Sequence, residues 1–440
     1  MTTTRPFDLV VHGATVVTSQ RSVLADVGVR DGRIAAVGAL TAEPSAQRVD
    51  AKGLHVLPGV IDTQVHFRDP GLTHKEDLST GSAAAALGGV TSFFEMPNTQ
   101  PPTTSPKALA DKVARAQAVS WVDFAFYLGA THENVAQLRG WESEPGCCGV
   151  KAFLGSSTGT LLLNDPVDLE LLLSTPGRRV AFHSEDEARL SARRALTAGQ
   201  GVGFHPTWRD VEAAVLSTRR LLAIAQKHRA RIHVLHVSTA EEIPLLAAAR
   251  DVATVEVTPQ HLTFAAPEVY ERLGTLAQMN PPLRDARHRE ALWKAVADGT
   301  VDLLGSDHAP HTLDEKKKPY PESPSGMPGV QTLLPVMLTH VAQGKLSLSR
   351  LVELTSEGPA RVFGIRGKGS LAIGADADFA LVDLGERRVI DSKWIASRCG
   401  WTPFEGFEAH GFPVMTFVRG DCVMRDGALL GAPRGRALGF

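Results

Sequence analysis

Val60-Ile61-Asp62-Thr63-Gln64-Val65-His66 reads as a short β-strand that stops on an imidazole, and it is the first of a series. Seven further strand candidates follow, near Val90–Met96, Val122–Gly129, Gly149–Gly155, Arg179–Ser184, Ile232–Val237, Ala253–Thr258 and Val301–Asp307. Helical patterns lie between them, including Pro106–Val119, Val211–His228 and Ala286–Val296. Apolar strands alternating with helices are the signature of βα units and a parallel sheet. Eight such units over this length fit an α/β fold of the (β/α)8 TIM-like barrel type better than an open doubly wound sheet. No glycine-rich phosphate loop of the GxGxxG or GxxxxGKS/T kind follows the first strand, which counts against nucleotide binding.

Both chain ends read as β-structure. Phe7–Val17 is β-rich, and Val27–Val37 carries Asp31-Gly32 between apolar runs, a hairpin signal. At the other end Asp378–Leu384 alternates, Val414–Val418 is apolar, and Val423–Leu430 carries Asp426-Gly427 in the same setting. The fragments Arg30-Asp31-Gly32 and Arg425-Asp426-Gly427 match residue for residue. The expectation is one small β-sandwich domain built from residues 1–56 and 366–440, with the barrel spanning 57–365.

The bulk properties are compatible with that plan. The 440 residues exceed one ordinary domain but suit a barrel plus a satellite, and 43% hydrophobic residues can fill a sizeable core. A formal net charge of −2 gives no argument for nucleic acid or an anionic membrane surface. No stretch is long and apolar enough to cross a bilayer, and Met1–Pro6 lacks the pattern of a signal peptide. Four cysteines, two of them the adjacent Cys147 and Cys148, do not make a disulfide framework. A cytoplasmic location is the expectation.

The informative residues are the polar ones at strand ends. His66 ends the first strand, Lys151 lies in the fourth, His183 ends the fifth, His236 ends the sixth and Asp307 ends the eighth. In a closed barrel these ends converge on one face, where catalytic residues of this fold collect. Any one of these histidines alone would be as ordinary as His228 or His233, which receive no role. Together, in phase with the strand register, they favour a metal site. Neutral imidazole nitrogen and carboxylate oxygen suit zinc, with an open position left for water.

Lys151 interrupts the apolar run Gly149-Val150-Lys151-Ala152-Phe153-Leu154, where an ammonium is costly to bury. A lysine that snorkels or pairs with a carboxylate is the ordinary explanation. The alternative is that burial lowers its pKa, so that the neutral amine reacts with carbon dioxide. The resulting carbamate is an anion with two oxygens, able to bridge two cations. Beside a metal cluster this alternative is preferred.

The segments PGVIDTQVHFRDPG (58–71), GGVTSFFEMPNT (88–99), VKAFLG (150–155), FHSEDE (182–187), LHVSTA (235–240), QMNPPLR (278–284) and GSDHAPHT (305–312) resemble the amidohydrolase superfamily, and within it the dihydroorotases. The resemblance covers nearly the whole chain, including the two-ended β domain. It implies a metal-dependent hydrolase that interconverts dihydroorotate and N-carbamoyl-L-aspartate in pyrimidine biosynthesis. It implies that His183 and His236 bind one metal and His66 the other, that N6-carboxylated Lys151 bridges them, and that Asp307 completes the site and moves the proton. It also implies substrate contacts from Asn98, Asn280 and His311. Arg68 offers a bidentate fork for the substrate carboxylate, its ordinary alternative being a salt bridge with Asp69 or Glu76.

One position departs from the family pattern. His-x-His usually follows the first strand, and here the pair is Gln64 and His66. An amide oxygen is a weaker zinc donor than imidazole, so Gln64 is a poor metal ligand. One secure Zn2+ and a second that is weak, exchangeable or absent are therefore expected. Two other activities remain open: a hydantoinase or allantoinase acting on another ring, and a non-catalytic homologue that scaffolds aspartate transcarbamoylase. Association with aspartate transcarbamoylase, and a homodimer or homotetramer, are expectations of the resemblance alone. The segment Thr312–Met327, with Glu315-Lys316-Lys317-Lys318-Pro319, reads as a solvated loop, with a role bordering the substrate as the alternative.

Overall fold

A computed structural model of the protein describes residues 6–157 and 161–440. Met1–Arg5, the first residues of the expected N-terminal part of the β domain, lie outside the described residues.

Five strands open the chain: β1 (Phe7–Val17), β2 (Ser22–Arg30), β3 (Arg33–Gly38), β4 (Ser45–Asp50) and β5 (His55–Pro58). The barrel strands follow as β6 (Val60–Val65), β7 (Val90–Glu95), β8 (Asp123–Gly129), β9 (Cys147–Phe153), β10 (Val180–His183), β11 (Ile232–Val234), β12 (Ala253–Val257) and β13 (Leu303–Leu304). The chain closes with β14 (Phe379–Val389), β15 (Glu408–Val418), β16 (Asp421–Arg425) and β17 (Ala428–Leu429).

Strands β6 to β13 pair in sequence order and in parallel. A parallel bridge between Val65 and His308, with His66 N donating to His308 O at 2.7 Å, brings the last strand round to the first. Parallel strands covered on both faces read as continuous apolar runs, and every residue of β6 to β10 is buried. The main core lies between these strands and the surrounding helices, among them Leu78–Leu87 and Val211–His228.

All eight barrel strands stand where the sequence places them, most of them a residue or two shorter than read and two of them shorter still. The sixth leaves the ladder at Val234 and the eighth at Leu304. His236 has φ +37 and Asp307 φ +44, so the backbone turns out of extended geometry on the way to these two side chains.

The chain ends form one nine-stranded, largely antiparallel sheet in the order β17-β16-β15-β14-β5-β1-β2-β3, with β4 on β1. It has its own core of residues such as Leu9, Val11, Val27, Phe379 and Phe417. Both Asp-Gly hairpins are present. Asp31 and Gly32 have φ +52 and +72, and Asp426 and Gly427 have φ +49 and +77, the two positive values a tight hairpin turn demands. Lys368 Nζ joins the two sheets, 2.5 Å from Asp123 Oδ2 of β8 and 2.5 Å from Asp378 Oδ2 beside β14. The C-terminal tail adds a second tie: Phe124 N donates to Arg436 O at 3.0 Å, and Leu438 N to Phe124 O at 2.9 Å. All four cysteines are free thiols, and among the described residues no helix is long and apolar enough to cross a membrane.

Candidate active site

The C-terminal ends of the barrel strands surround a pocket lined by Gln64, His66, Arg68, Asn98, Lys151, His183, His236, Asn280 and Asp307. Nine of the ten residues singled out from sequence thus meet in one place, and the tenth, His311, stands directly behind Arg68. Arg68 at φ +64 joins His236 and Asp307 in the left-handed region, a backbone conformation that costs non-glycine residues energy and recurs at functional sites.

Hydrogen bonds fix the protons of two imidazoles. His66 Nδ1 is 2.7 Å from Asn98 Oδ1, an acceptor, so Nδ1 carries the hydrogen. The bare Nε2 then faces Asp307 Oδ1 at 3.3 Å. His183 Nε2 donates to Glu185 Oε2 at 2.8 Å, which leaves Nδ1 bare and 3.1 Å from His236 Nε2. His236 Nδ1 is buried with no partner among the described residues. Burial holds all three imidazoles below the ordinary histidine pKa, so they are neutral donors. Burial also pushes the Asp307 carboxyl up to about 7, against the pull of His183, Arg68 and Lys151.

Two facing lone-pair acceptors and an orphaned buried imidazole nitrogen are unfavourable unless a cation or a proton lies between them. The donor set therefore fits a metal ion. Among the described residues no three His, Cys, Asp or Glu side chains form a ready-made cage. The donors stand as two pairs, His66 with Asp307 and His183 with His236.

Lys151 is 1% exposed. Its Nζ donates to Ala152 O at 3.2 Å and lies 4.0 Å from the Phe153 ring centroid, and no carboxylate pairs with it among the described residues. Burial lowers its pKa well below the lysine value, with Asp307 and Glu256 opposing. The ordinary explanation for this lysine, an ion pair or a snorkelling chain, is not realised.

Nor is the ordinary explanation for Arg68. Asp69 lies 3.6 Å from Arg115, and Glu76 is held by Thr80, His308 and Ser397. Arg68 is 1% exposed, with Nε donating to Pro310 O at 3.2 Å and no carboxylate partner among the described residues. Lys75 Nζ lies 3.1 Å from His311 Nδ1, nearer than Glu315 Oε2 at 3.7 Å, which favours the His311 hydrogen on Nε2, toward Ser325 O 3.1 Å away. Arg68 Nη2, 3.4 Å from that same Nε2, meets an N–H rather than a lone pair. Most of the guanidinium's donors therefore remain uncommitted at the pocket wall.

Several residues escaped sequence reasoning. Glu185 orients His183 and is itself gripped by Arg209, which also donates from Nη2 to Ser156 O at 2.8 Å. Burial alone would raise the Glu185 carboxyl, but Arg209 and His183 hold it below the ordinary range. His205 Nε2 donates to Asn280 Oδ1 at 2.9 Å and so orients that amide. Glu185 follows His183 by two positions within the quoted FHSEDE segment, a local signal; Arg209 and His205 offered none.

The solvated-loop reading of Thr312–Met327 needs correction. Lys317 and Lys318 are exposed, but Lys316 is fully buried, and its Nζ donates to Gln278 O, Pro324 O and Gly326 O at 3.0, 2.8 and 3.0 Å. That knot draws Ser325 and Gly326 into the pocket lining. An ammonium amid carbonyls leaves no hydrophobic period in sequence, so the run of lysines reads as solvent-facing.

Comparison with known proteins agrees with this geometry. The amidohydrolase family model matches residues 55–199 and 210–423. The chain is 41% identical to a dihydroorotase of Halobacterium salinarum, covering 94% of this chain and 98% of the relative. It is 36% identical to an allantoinase of Deinococcus radiodurans, covering 98% of each. Among solved structures, the L-hydantoinase from Arthrobacter aurescens superposes with a TM-score of 0.93 at 31% identity, covering 98% of this chain and 99% of that one. The chain therefore belongs to the amidohydrolase family, as a cyclic amidohydrolase of the dihydroorotase type with allantoinases and hydantoinases as its neighbours.

Proposed function

We propose that this enzyme is a dihydroorotase, hydrolysing (S)-dihydroorotate reversibly to N-carbamoyl-L-aspartate. The carrying observation is Arg68: a buried guanidinium at the pocket wall, with no carboxylate paired to it among the described residues and with its nearest protein contacts at Pro310 O and His311. A buried cation without a counter-ion is expensive, and a substrate carboxylate supplies what is missing. Dihydroorotate carries a carboxylate; hydantoin and allantoin rings do not.

His183 and His236 would hold one Zn2+, with N6-carboxylated Lys151 joining it to the side occupied by His66 and Asp307. Such an ion, when bound, lowers the pKa of a coordinated water and polarises a carbonyl as a Lewis acid. The chain's own groups do the rest. Arg68 grips the carboxylate while Asn98 and Asn280 face the same pocket, which contributes through orientation. Glu185 keeps His183 in one tautomer, with Nδ1 bare. Asp307, raised toward neutrality by burial, takes the proton of the attacking water and delivers it to the departing ring nitrogen.

A second reading has one observation in its favour. A cavity of about 270 Å3 adjoins the pocket through Ser157, Asn280 and Ser325, and Leu190 and Trp208 line it. A substituted hydantoin could place its side group there. Turnover of dihydroorotate, allantoin and hydantoins by the purified zinc-loaded protein separates the readings. Higher kcat/KM on either neutral ring than on dihydroorotate overturns the proposal.

A further inference from the structure

Asp307 Oδ1 is approached from two sides. Gln64 Nε2 donates to it at 3.0 Å, and His66 Nε2 faces it at 3.3 Å. An amide has a donor end and an acceptor end, and beside a carboxylate only the donor end is favourable. That orientation turns Gln64 Oε1 away from Asp307, where it is buried with no partner among the described residues, in a side chain only 1% exposed. Gln64 is itself firmly placed: it lies in β6, and its backbone N donates to Asp62 Oδ1 at 3.2 Å. Asp307 lies beyond the end of β13 at φ +44, where the surroundings must hold the backbone in a conformation it would not choose.

We propose that Gln64 is a positioning residue for Asp307 and not a metal ligand. Its amide nitrogen fixes Oδ1 and thereby leaves Oδ2 as the oxygen that exchanges a proton with the substrate. The glutamine that weakens one metal position thus does separate work for the proton-transfer group. This inference rests on the proposed cyclic-amide hydrolysis, but zinc content and the position of one amide test it without a substrate.

The experiment compares Gln64→Met and Gln64→His with the parent, all zinc-loaded. The Met variant keeps the shape but cannot donate; the His variant can donate from a ring nitrogen. Expected for Gln64→Met is an unchanged zinc-to-chain ratio and thermal midpoint, an unchanged KM, and a kcat lower by about 10–100-fold. Expected for Gln64→His is partial recovery of kcat. Loss of zinc in Gln64→Met makes Gln64 a ligand and overturns the proposal, as does a kcat equal to the parent's. Activity is read on whichever of dihydroorotate, allantoin or hydantoin the parent turns over, so the substrate reading can fail while this one stands. If the parent turns over none, a crystal structure of the zinc-loaded protein decides. Nε2 of Gln64 within about 3.2 Å of Asp307 supports the role, and an Oε1–zinc bond overturns it.

Discussion

Lys75 Nζ lies 3.1 Å from His311 Nδ1, and through that contact a residue outside the pocket controls the guanidinium inside it. The ammonium is held in turn by Glu315 Oε1 at 3.0 Å. Burial keeps His311 neutral, with its pKa near 3, so only the tautomer is in question, and Lys75 decides it. Without Lys75 the imidazole can expose a lone pair at Nε2 and capture an Arg68 hydrogen. Lys75→Met should therefore raise KM for dihydroorotate roughly tenfold or more, the worth of one charge-assisted hydrogen bond. The kcat and the turnover of neutral rings should stay near the parent's. Steady-state kinetics on a charged and a neutral ring check this; equal losses on both would assign Lys75 to general packing.

Glu185 predicts a metal effect and a pH effect. Glu185→Gln keeps an acceptor near His183 but removes the charge that orients it, so zinc affinity should fall about 10–100-fold in chelator competition. Arg209 and His183 hold the Glu185 pKa below its ordinary value of 4.5. The unfolded chain then binds this proton first as the pH drops. The stability Glu185 contributes is complete above about 4.5 and is lost as the pH falls through the lower folded value. The difference in thermal midpoint between metal-free parent and Glu185→Gln should be constant above that pH and shrink below it. A difference that persists undiminished into strong acid argues against the pair.

Residues that carry a period were readable in the chain. Each barrel strand is a short apolar run, and a polar side chain at or shortly after its end is visible without neighbours: His183 is the last residue of β10, and Asp307 comes after β13 has ended at Leu304. The two Asp-Gly hairpins are equally local. The supporting layer is different in kind. Lys75 and His311 are separated by 236 residues, Arg209 and Glu185 by 24, and Lys368 and Asp123 by 245. A polar side chain that serves a distant partner has no periodic signature, so nothing in the sequence distinguishes Lys75, Arg209 and Lys368 from surface cations. Lys316 misled for the same reason, because its partners are backbone carbonyls that no sequence displays.

The C-terminal tail tests how the barrel is finished at the end away from the pocket. Leu438 is 5% exposed, packs in a cluster with Ile61, Phe94, Tyr127 and Phe363, and lies beside the start of β8. The Phe440 ring meets Phe94 with centroids 5.7 Å apart. Leu438→Ala removes a buried side chain and should cost about 2–5 kcal/mol, lowering the thermal midpoint while leaving KM alone. A raised KM without a lower midpoint would show that the tail communicates with the pocket instead of filling the core.

Asp307→Asn separates holding from proton transfer at the same position. With its oxygen at the Oδ1 position, the asparagine still accepts from Gln64 Nε2, so the contact that fixes the side chain has a substitute. What the variant cannot do is take a proton from water and return it to a ring nitrogen. An ion that His183 and His236 would hold does not depend on that exchange. Zinc content should therefore stay near the parent's while kcat falls about 100- to 10,000-fold, the range for loss of a general base. Elemental analysis and turnover on one sample provide both readings. Near-normal kcat with full zinc would remove Asp307 from the chemistry, and loss of zinc with loss of kcat would make it chiefly a ligand.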